Sequence, residues 1–196
     1  VDTPVLNMLN KTVGVFGGGN TALDSARVAL RLGAAKVTII YRRTEAEMPG
    51  RKEEIEHAIA EGVNFAYLSA PLEFLGNEEG RLTGVRLQKM ELGEPDSSGR
   101  RRPVPLVGSE YEIDLDVAIV AIGNGSNPII HRSTPGLDVD KWGHILVDPE
   151  TLQTSISGVY AGGDIVTGGA TVIKAMGAGR KAAASIIKQL GLKVPA

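Results

Sequence analysis

The chain has 196 residues, enough to bury the core of one domain or of one domain and part of a second. Its 21 basic and 23 acidic residues nearly cancel, so charge gives no argument for a nucleic-acid or membrane partner. Cysteine is absent, which excludes a disulfide framework, a thiolate-bound iron–sulfur cluster and a redox-active cysteine pair within these residues. No apolar run approaches the ~20 residues of a membrane span, and we expect a cytoplasmic location.

The first predicted elements are a strand, Thr12–Phe16, and a helix from Thr21 to Leu32, joined by a glycine-rich turn. In the pattern G-x-G-x-x-A, Gly17 makes the tight turn, and Gly19 has no side chain to keep a diphosphate from the backbone. Ala22 permits close packing of helix and strand, and the diphosphate would lie at the positive end of the helix. A chance glycine-rich turn is the alternative, but the flanking strand and helix favour dinucleotide binding.

Two arginines follow the second predicted strand, Lys36–Ile40. Arg42 and Arg43 stand where an NAD site carries an acidic residue for the ribose 2′-hydroxyl. Forked, charge-assisted hydrogen bonds from these side chains suit a 2′-phosphate, so the sequence predicts an NADP site. A solvated strand end is the less favoured alternative. Arg51 and Lys52, at the start of the next helix, could assist, and the sequence does not decide whether they do.

The middle of the chain predicts a helix, an antiparallel meander and a return to the parallel sheet. The predicted elements are a helix at Arg51–Glu61 and strands at Val63–Leu68, Leu72–Leu75, Leu82–Met90, Val104–Ile113 and Asp116–Ile122. Turns are expected at 76–80 and 93–103, and the three arginines at 100–102 are interpreted as a solvated hairpin tip. The last strand is nearly all apolar, as in a parallel strand buried on both faces, and Gly123 opens the loop after it.

The rest of the chain has a different character. The segment 129–141 is interpreted as a crossing between domains, followed by short strands at His144–Val147 and Gly158–Ala161. Gly163 and Asp164 follow the second of these strands, where the carboxylate could hold a polyol hydroxyl. A long helix is predicted from Thr171 to Leu190. The histidines show no metal spacing and no partnered nucleophile, which fits hydride chemistry carried by cofactors.

Four segments, taken in order, resemble a known family. They are Gly17-Gly18-Gly19-Asn20-Thr21-Ala22, Tyr41-Arg42-Arg43 with Met48-Pro49, Ala121-Ile122-Gly123 with Asn127-Pro128, and Val159-Tyr160-Ala161-Gly162-Gly163-Asp164. Together they resemble the NADPH-binding domain of the glutamate synthase small (beta) subunit. The resemblance extends from about Lys11 to Leu190. The same pattern occurs in the large subunit of the NADH-dependent ferredoxin:NADP oxidoreductase and in part of dihydropyrimidine dehydrogenase.

The resemblance implies an α/β fold in which a Rossmann-like NADPH domain with an inserted β-meander interrupts an FAD domain. Hydride would pass from NADPH to FAD. The implied NADPH contacts are Gly17, Gly18, Gly19, Asn20 and Thr21 at the diphosphate, Arg42 and Arg43 at the 2′-phosphate, and Gly123 near the nicotinamide. The implied FAD contacts are Gly163 and Asp164 at the ribityl and pyrophosphate region, and Thr171 and Val172 at the flavin ring.

The chain departs from the family by having one dinucleotide fingerprint and no cysteine-rich region. Together with Val1 in place of an initiator Met, this suggests the carboxyl-terminal part of a subunit: an NADPH domain at 1–126 and the last segment of a split FAD domain at 127–196. FAD would bind only with the missing N-terminal part. We therefore expect poor order, or pairing between copies as a homodimer, after about Asn127.

The resemblance also implies a partner that receives the electrons. The expected partners are a glutamate synthase large subunit, where the electrons would serve glutamate synthesis from glutamine and 2-oxoglutarate, or a ferredoxin-type acceptor. A catalytically silent nucleotide-binding module is the alternative for the isolated chain. A relative of thioredoxin reductase is disfavoured because the chain has no cysteine pair to exchange with a disulfide.

Overall fold

The computed structural model describes residues 7–96 and 99–192. It divides into two compact units, the first ending at Ile122 and the second beginning at Gly123. The first unit contains β1 (Thr12–Phe16), α1 (Asn20–Arg31), β2 (Lys36–Ile40), α2 (Lys52–Ala60), β3 (Asn64–Ala66), β4 (Ser69–Gly76), β5 (Leu82–Pro95), β6 (Arg101–Asp114) and β7 (Val117–Val120). The second contains α3 (Ile129–Ser133), α4 (Asp164–Thr167) and α5 (Val172–Gln189).

Four strands of the first unit form a parallel sheet in the order β3-β2-β1-β7. Val13 pairs with Val37 of β2 on one side and with Val117 of β7 on the other. The chain thus moves outward from β1 through β2 to β3 and then returns to the opposite side of β1. The carboxyl ends of β1 and β7 flank this reversal of strand order, which is where open α/β sheets bind ligands.

Helix α1 forms because its small apolar residues repeat at helical spacing. Ala22, Ala26 and Ala29 are buried on one stripe, and Leu23 beside them is fully buried. Alanines allow the helix axis to lie close to the sheet. The helix ends at Arg31, and Gly33 follows it at φ +90°, a conformation that glycine adopts without the strain of a Cβ atom.

An antiparallel sheet in the order β4-β5-β6 covers the other face of the parallel sheet. Phe16 and Ile40 of the parallel sheet pack there with Val85, Leu87 and Leu115. The first unit therefore has three layers: helices, parallel sheet and antiparallel sheet. This confirms the predicted Rossmann-like α/β fold with an inserted meander.

The turn predicted at 93–103 is wrong, because both strands of the hairpin run further. Leu92 pairs with Pro103 and Pro95 pairs with Arg101, so both strands continue through most of the predicted turn. Pro103 and Pro105 lie within β6. They are tolerated because β6 is an edge strand with one side free of ladder hydrogen bonds.

The second unit lacks the strands predicted at His144–Val147 and Gly158–Ala161. Its described residues form isolated bridges instead, at Val139–Ile145, Val147–Thr154 and Gln153–Tyr160. Helix α5 buries none of its residues within the chain. Pairing between copies stays a prediction.

Candidate functional site

The glycine-rich loop lies at the carboxyl end of β1, and its three glycines face different surroundings. A Cβ on Gly17, which has φ +146°, would overlap the carbonyl oxygen of Ala121. A Cβ on Gly18 would come within 2.6 Å of the Tyr41 ring. A Cβ on Gly19 would meet nothing within 4 Å, and its φ of −90° is open to any residue. The packing of the first unit explains Gly17 and Gly18, whereas the space over Gly19 is left open.

The same loop begins helix α1 and leaves its first amides uncapped by side chains. Gly19 is the N-cap, no side chain in the described part of the chain caps it, and the first turn carries no acidic residue. The first amides of a helix have no partner within the helix, and they carry the positive end of its dipole. Asn20 and Thr21 are exposed at this end. The arrangement suits a phosphate group.

The side chain of Asn20 connects this loop to the start of α2. Its Oδ1 accepts a hydrogen bond from the backbone amide of Arg51 at 2.8 Å, and Gly50 N donates to Gly18 O at 3.0 Å. Of the two basic residues that could assist, Arg51 is the N-cap of α2, and Lys52 pairs with Glu56 at 3.9 Å. The Asn20–Arg51 bond bridges 31 positions, so no local pattern in the sequence indicates it.

The two arginines after β2 have different environments. Arg42 is exposed, whereas Arg43 is buried and donates to the carboxylate of Asp96 at 2.8 Å. The sequence predicts both side chains at a phosphate, yet the guanidinium of Arg43 faces the β5–β6 hairpin. Asp96 has no signal in the sequence, because it lies 53 positions away in a predicted turn.

Gly123 lies just after β7 and adopts φ +87°, with nothing within 4 Å of an added Cβ atom. It is the first residue of the second unit, whereas the sequence predicts the domain boundary between residues 126 and 127. A glycine in an open, left-handed position leaves the backbone accessible to a ligand.

The four residues implied for FAD lie on two neighbouring elements of the second unit. Gly163 is the N-cap of α4 at φ +80°, and Asp164 Oδ1 accepts from Ala170 N at 3.2 Å, which closes the loop before α5. Thr171 caps α5 by accepting from Lys174 N at 3.4 Å. Val172, the first residue of α5, is 76% exposed. The Thr171 cap satisfies the amide of Lys174, and the exposure of Val172 leaves the end of the helix open to solvent.

Within residues 7–96 and 99–192, neither a metal site nor a membrane-spanning helix is found. No group of three or more histidine or acidic side chains there could hold a metal ion. No helix in this part of the chain is both long and apolar enough to cross a membrane.

Comparison with known proteins gives a consistent family assignment. A family model described as pyridine nucleotide-disulphide oxidoreductase matches residues 2–179. The NADP(+)-dependent formate dehydrogenase subunit beta of Moorella thermoacetica is 47% identical over 92% of this chain and 25% of its own length. The glutamate synthase (NADPH) small chains of Azospirillum brasilense and Escherichia coli are 42% and 40% identical, over 92% and 96% of this chain and 37% and 41% of their lengths. The chain thus spans from a quarter to less than half of these relatives, and the resemblance to glutamate synthase small subunits is confirmed.

Solved structures share the fold. Thioredoxin reductase from T. acidophilum has a TM-score of 0.72 and 24% identity, covering 93% of this chain and 53% of that chain. FprA from Mycobacterium tuberculosis in complex with NADPH has a TM-score of 0.70 and 21% identity, covering 94% of this chain and 54% of that chain. At these identities the likeness concerns the fold alone.

Proposed function

The chain belongs to the pyridine nucleotide-disulphide oxidoreductase family, and from this premise we propose that it is the NADPH-binding part of a flavin-dependent oxidoreductase. FAD, when bound, would accept hydride from the nicotinamide of NADPH and pass the electrons on. The protein's own contribution would be to bind and orient the two nucleotides, because in hydride transfer the cofactors carry the chemistry.

One observation carries the NADPH proposal: the open space over Gly19. Its Cβ position is empty and its backbone angles suit any amino acid, so nothing in the packing of the described residues requires glycine there. A diphosphate at the amides of α1 would need that space, because a side chain would keep it from the backbone. In this proposal Gly17 and Gly18 shape the turn, and the amides of Asn20 and Thr21 complete the phosphate cradle.

The remaining site residues are assigned by the resemblance and stay proposals. Gly123 would leave room beside the nicotinamide. Gly163 and Asp164 would face the ribityl and pyrophosphate part of FAD, and the open start of α5, at Thr171 and Val172, would face the flavin ring. The exposure of Val172 supports this assignment, because it leaves the helix terminus accessible.

We propose the electron acceptor from the names of the similar proteins. Two of them are named as glutamate synthase small chains and one as the beta subunit of a formate dehydrogenase, which supports a partner subunit. We assign the chain to glutamate synthase chemistry, in which NADPH electrons support glutamate formation from glutamine and 2-oxoglutarate. A ferredoxin-type acceptor is the alternative.

A second candidate function is nucleotide binding without hydride transfer. It is favoured by helix α5, none of whose residues is buried within the chain. A complete FAD domain would cover the inner side of this helix. The isolated chain would then be a nucleotide-binding module that holds NADPH without transferring hydride. A flavin absorbance in the purified protein would support the enzyme, and a colourless protein would support the module.

The experiment on Gly19 compares nucleotide affinity with stability. Gly19→Ala is expected to weaken NADPH binding about tenfold or more, since one methyl group in the phosphate path costs about 1.4 kcal/mol or more. The thermal midpoint should fall by only a few degrees, the cost of alanine at an N-cap. Calorimetric titration and thermal unfolding measure the two effects.

Gly177→Ala is the matched control, because Gly177 also has nothing within 4 Å of an added Cβ and lies on α5. It should leave NADPH affinity unchanged. Equal NADPH affinity of the wild type and Gly19→Ala would contradict the proposed site.

A further inference from the structure

The segment after β2 alternates between buried and exposed side chains. Tyr41 and Arg43 are buried, and Arg42 between them is exposed. The Tyr41 ring packs against Gly18, and its hydroxyl donates to the carbonyl oxygen of Glu47 at 2.9 Å. Because both neighbours of Arg42 are held by contacts within the first unit, the backbone that carries Arg42 is held as well.

Arg43 uses its guanidinium to contact the β5–β6 hairpin. Its Nη2 donates to Asp96 Oδ2 at 2.8 Å, and its Nε donates to the carbonyl oxygen of Arg101 at 2.7 Å. The side chain of Arg43 is 6% exposed and that of Asp96 is 22% exposed. A phosphate would have to compete with Asp96 for the guanidinium of Arg43. If the guanidinium moved to the phosphate, the Asp96 carboxylate would lose this cation.

The partners of Arg43 lie at the tip of the hairpin, which is closed by its own hydrogen bonds. Asp96 N donates to Arg100 O at 2.7 Å, and Gly99 N donates to Asp96 O at 2.9 Å. The guanidinium of Arg101 donates back to the carbonyl oxygens of residues 92 and 93. Arg43 therefore joins the carboxyl end of β2 to a closed hairpin tip.

Arg42 differs from Arg43 because its guanidinium is not paired with an acidic side chain in the described residues. Within the described ranges 7–96 and 99–192, Arg42 has no hydrogen-bond or ion-pair partner. It can bind an anion without breaking an existing bond, and it offers a full positive charge. Arg43 and Asp96 together are neutral, so the pair adds no net attraction for a phosphate.

We propose that Arg42 is the guanidinium that selects the 2′-phosphate and that Arg43 is a positioning residue. Arg43 fixes the strand end that carries Arg42 by joining it to the hairpin tip. The inference rests on the proposed function, since it presupposes NADPH at this site. It divides between two residues the role that the sequence assigns equally to both.

The test measures dissociation constants for NADPH and NADH by calorimetric titration of the whole chain. The forms compared are the wild type, Arg42→Ser, Arg43→Lys, Asp96→Asn and the double variant of the last two. Arg42→Ser is expected to weaken NADPH about 10- to 100-fold and to leave NADH within about twofold, because NADH lacks the group it binds.

Arg43→Lys and Asp96→Asn separate positioning from direct binding. Lysine keeps the charge but loses the planar fork that reaches both hairpin acceptors. If Arg43 is a positioning residue, each change should lower the preference for NADPH over NADH about 3- to 10-fold. The preference of the double variant should then be no lower than that of the more affected single variant. A direct phosphate contact predicts that Arg43→Lys keeps most of the preference and that Asp96→Asn, by freeing Arg43, raises it. That result would overturn the inference.

Hydrogen exchange without nucleotide tests the connection itself. The amides of Gly99 and Arg101 are expected to exchange faster in Arg43→Lys and in Asp96→Asn than in the wild type. Unchanged exchange in both variants would overturn the link between Arg43 and the hairpin. A wild type that binds neither nucleotide would contradict the proposed function, and the exchange result would still decide whether the link exists.

Discussion

At the scale of single residues, the three consecutive glycines of the loop have different surroundings. Gly17 makes room for the carbonyl oxygen of Ala121, just after β7, and Gly18 makes room for the ring of Tyr41 after β2. Only these two follow from the packing of the first unit. The packing does not explain a glycine at position 19, whereas a bound diphosphate would explain it. The nucleotide proposal is based on this difference.

Gly18→Ala should lower the free energy of unfolding by about 1–3 kcal/mol, because its Cβ would lie 2.6 Å from the buried Tyr41 ring. Gly17→Ala should cost at least as much, because backbone cannot move aside as a side chain can. Urea unfolding measures both losses, with Gly19→Ala as the reference. Midpoints equal to that of Gly19→Ala would contradict the packing account.

At the scale of elements, α1 and α2 are joined by a cluster of ion pairs. Arg27 contacts Glu54 at 2.6 Å and Glu61 at 2.8 Å, and Arg31 contacts Glu61 at 2.6 Å. Hydrogen bonds from Arg31, and secondarily from Arg27, lower the pKa of Glu61 to about 2 from an ordinary 4.5. The two helices are thus held beside each other over the sheet by charge as well as by apolar contacts.

This cluster predicts a pH dependence of stability. Because the pKa of Glu61 is lower in the folded state, its contribution is complete above the unfolded pKa of about 4.5 and is lost as pH falls toward 2. The difference in thermal midpoint between wild type and Glu61→Gln should therefore be largest above pH 5 and shrink on acidification. A difference independent of pH between 5 and 2 would contradict the assignment.

At the scale of the whole molecule, the two units differ in how completely they bury their elements. The first has apolar clusters on both faces of its parallel sheet. In the second, α5 exposes Val172 by 76% and Ile173 by 82%, and the described segments beside it form single bridges instead of a sheet. A long helix with one apolar side is normally stabilised by packing.

We expect the chain by itself not to retain FAD. The purified chain is expected to be colourless and to gain no flavin absorbance after incubation with FAD and desalting, while it still binds NADPH. The physical reason is that each of the two dinucleotides needs its own glycine fingerprint for its diphosphate, and the chain has one. A yellow protein with stoichiometric flavin would contradict this expectation and favour the complete enzyme.

The sequence by itself determined the elements whose signals are local. The strand, turn and helix from Thr12 to Arg31, the helix near 52–60 and the strand before Gly123 were predictable, because apolar periodicity and glycine positions act within a few residues. The family resemblance was predictable for the same reason, since its motifs are short and ordered. The strands expected at 144–147 and 158–161 were wrong, because a strand also needs a neighbour, which a local pattern does not supply.

Tertiary structure alone decided which of these residues have partners. Arg42 and Arg43 are identical in type and adjacent in the chain, yet Arg43 is paired with Asp96, 53 positions away, and Arg42 is exposed. Gly18 and Gly19 are adjacent as well, yet an aromatic ring lies against one and open space over the other. Such differences arise when distant segments fold together, because burial and pairing depend on what lies across the fold from each side chain.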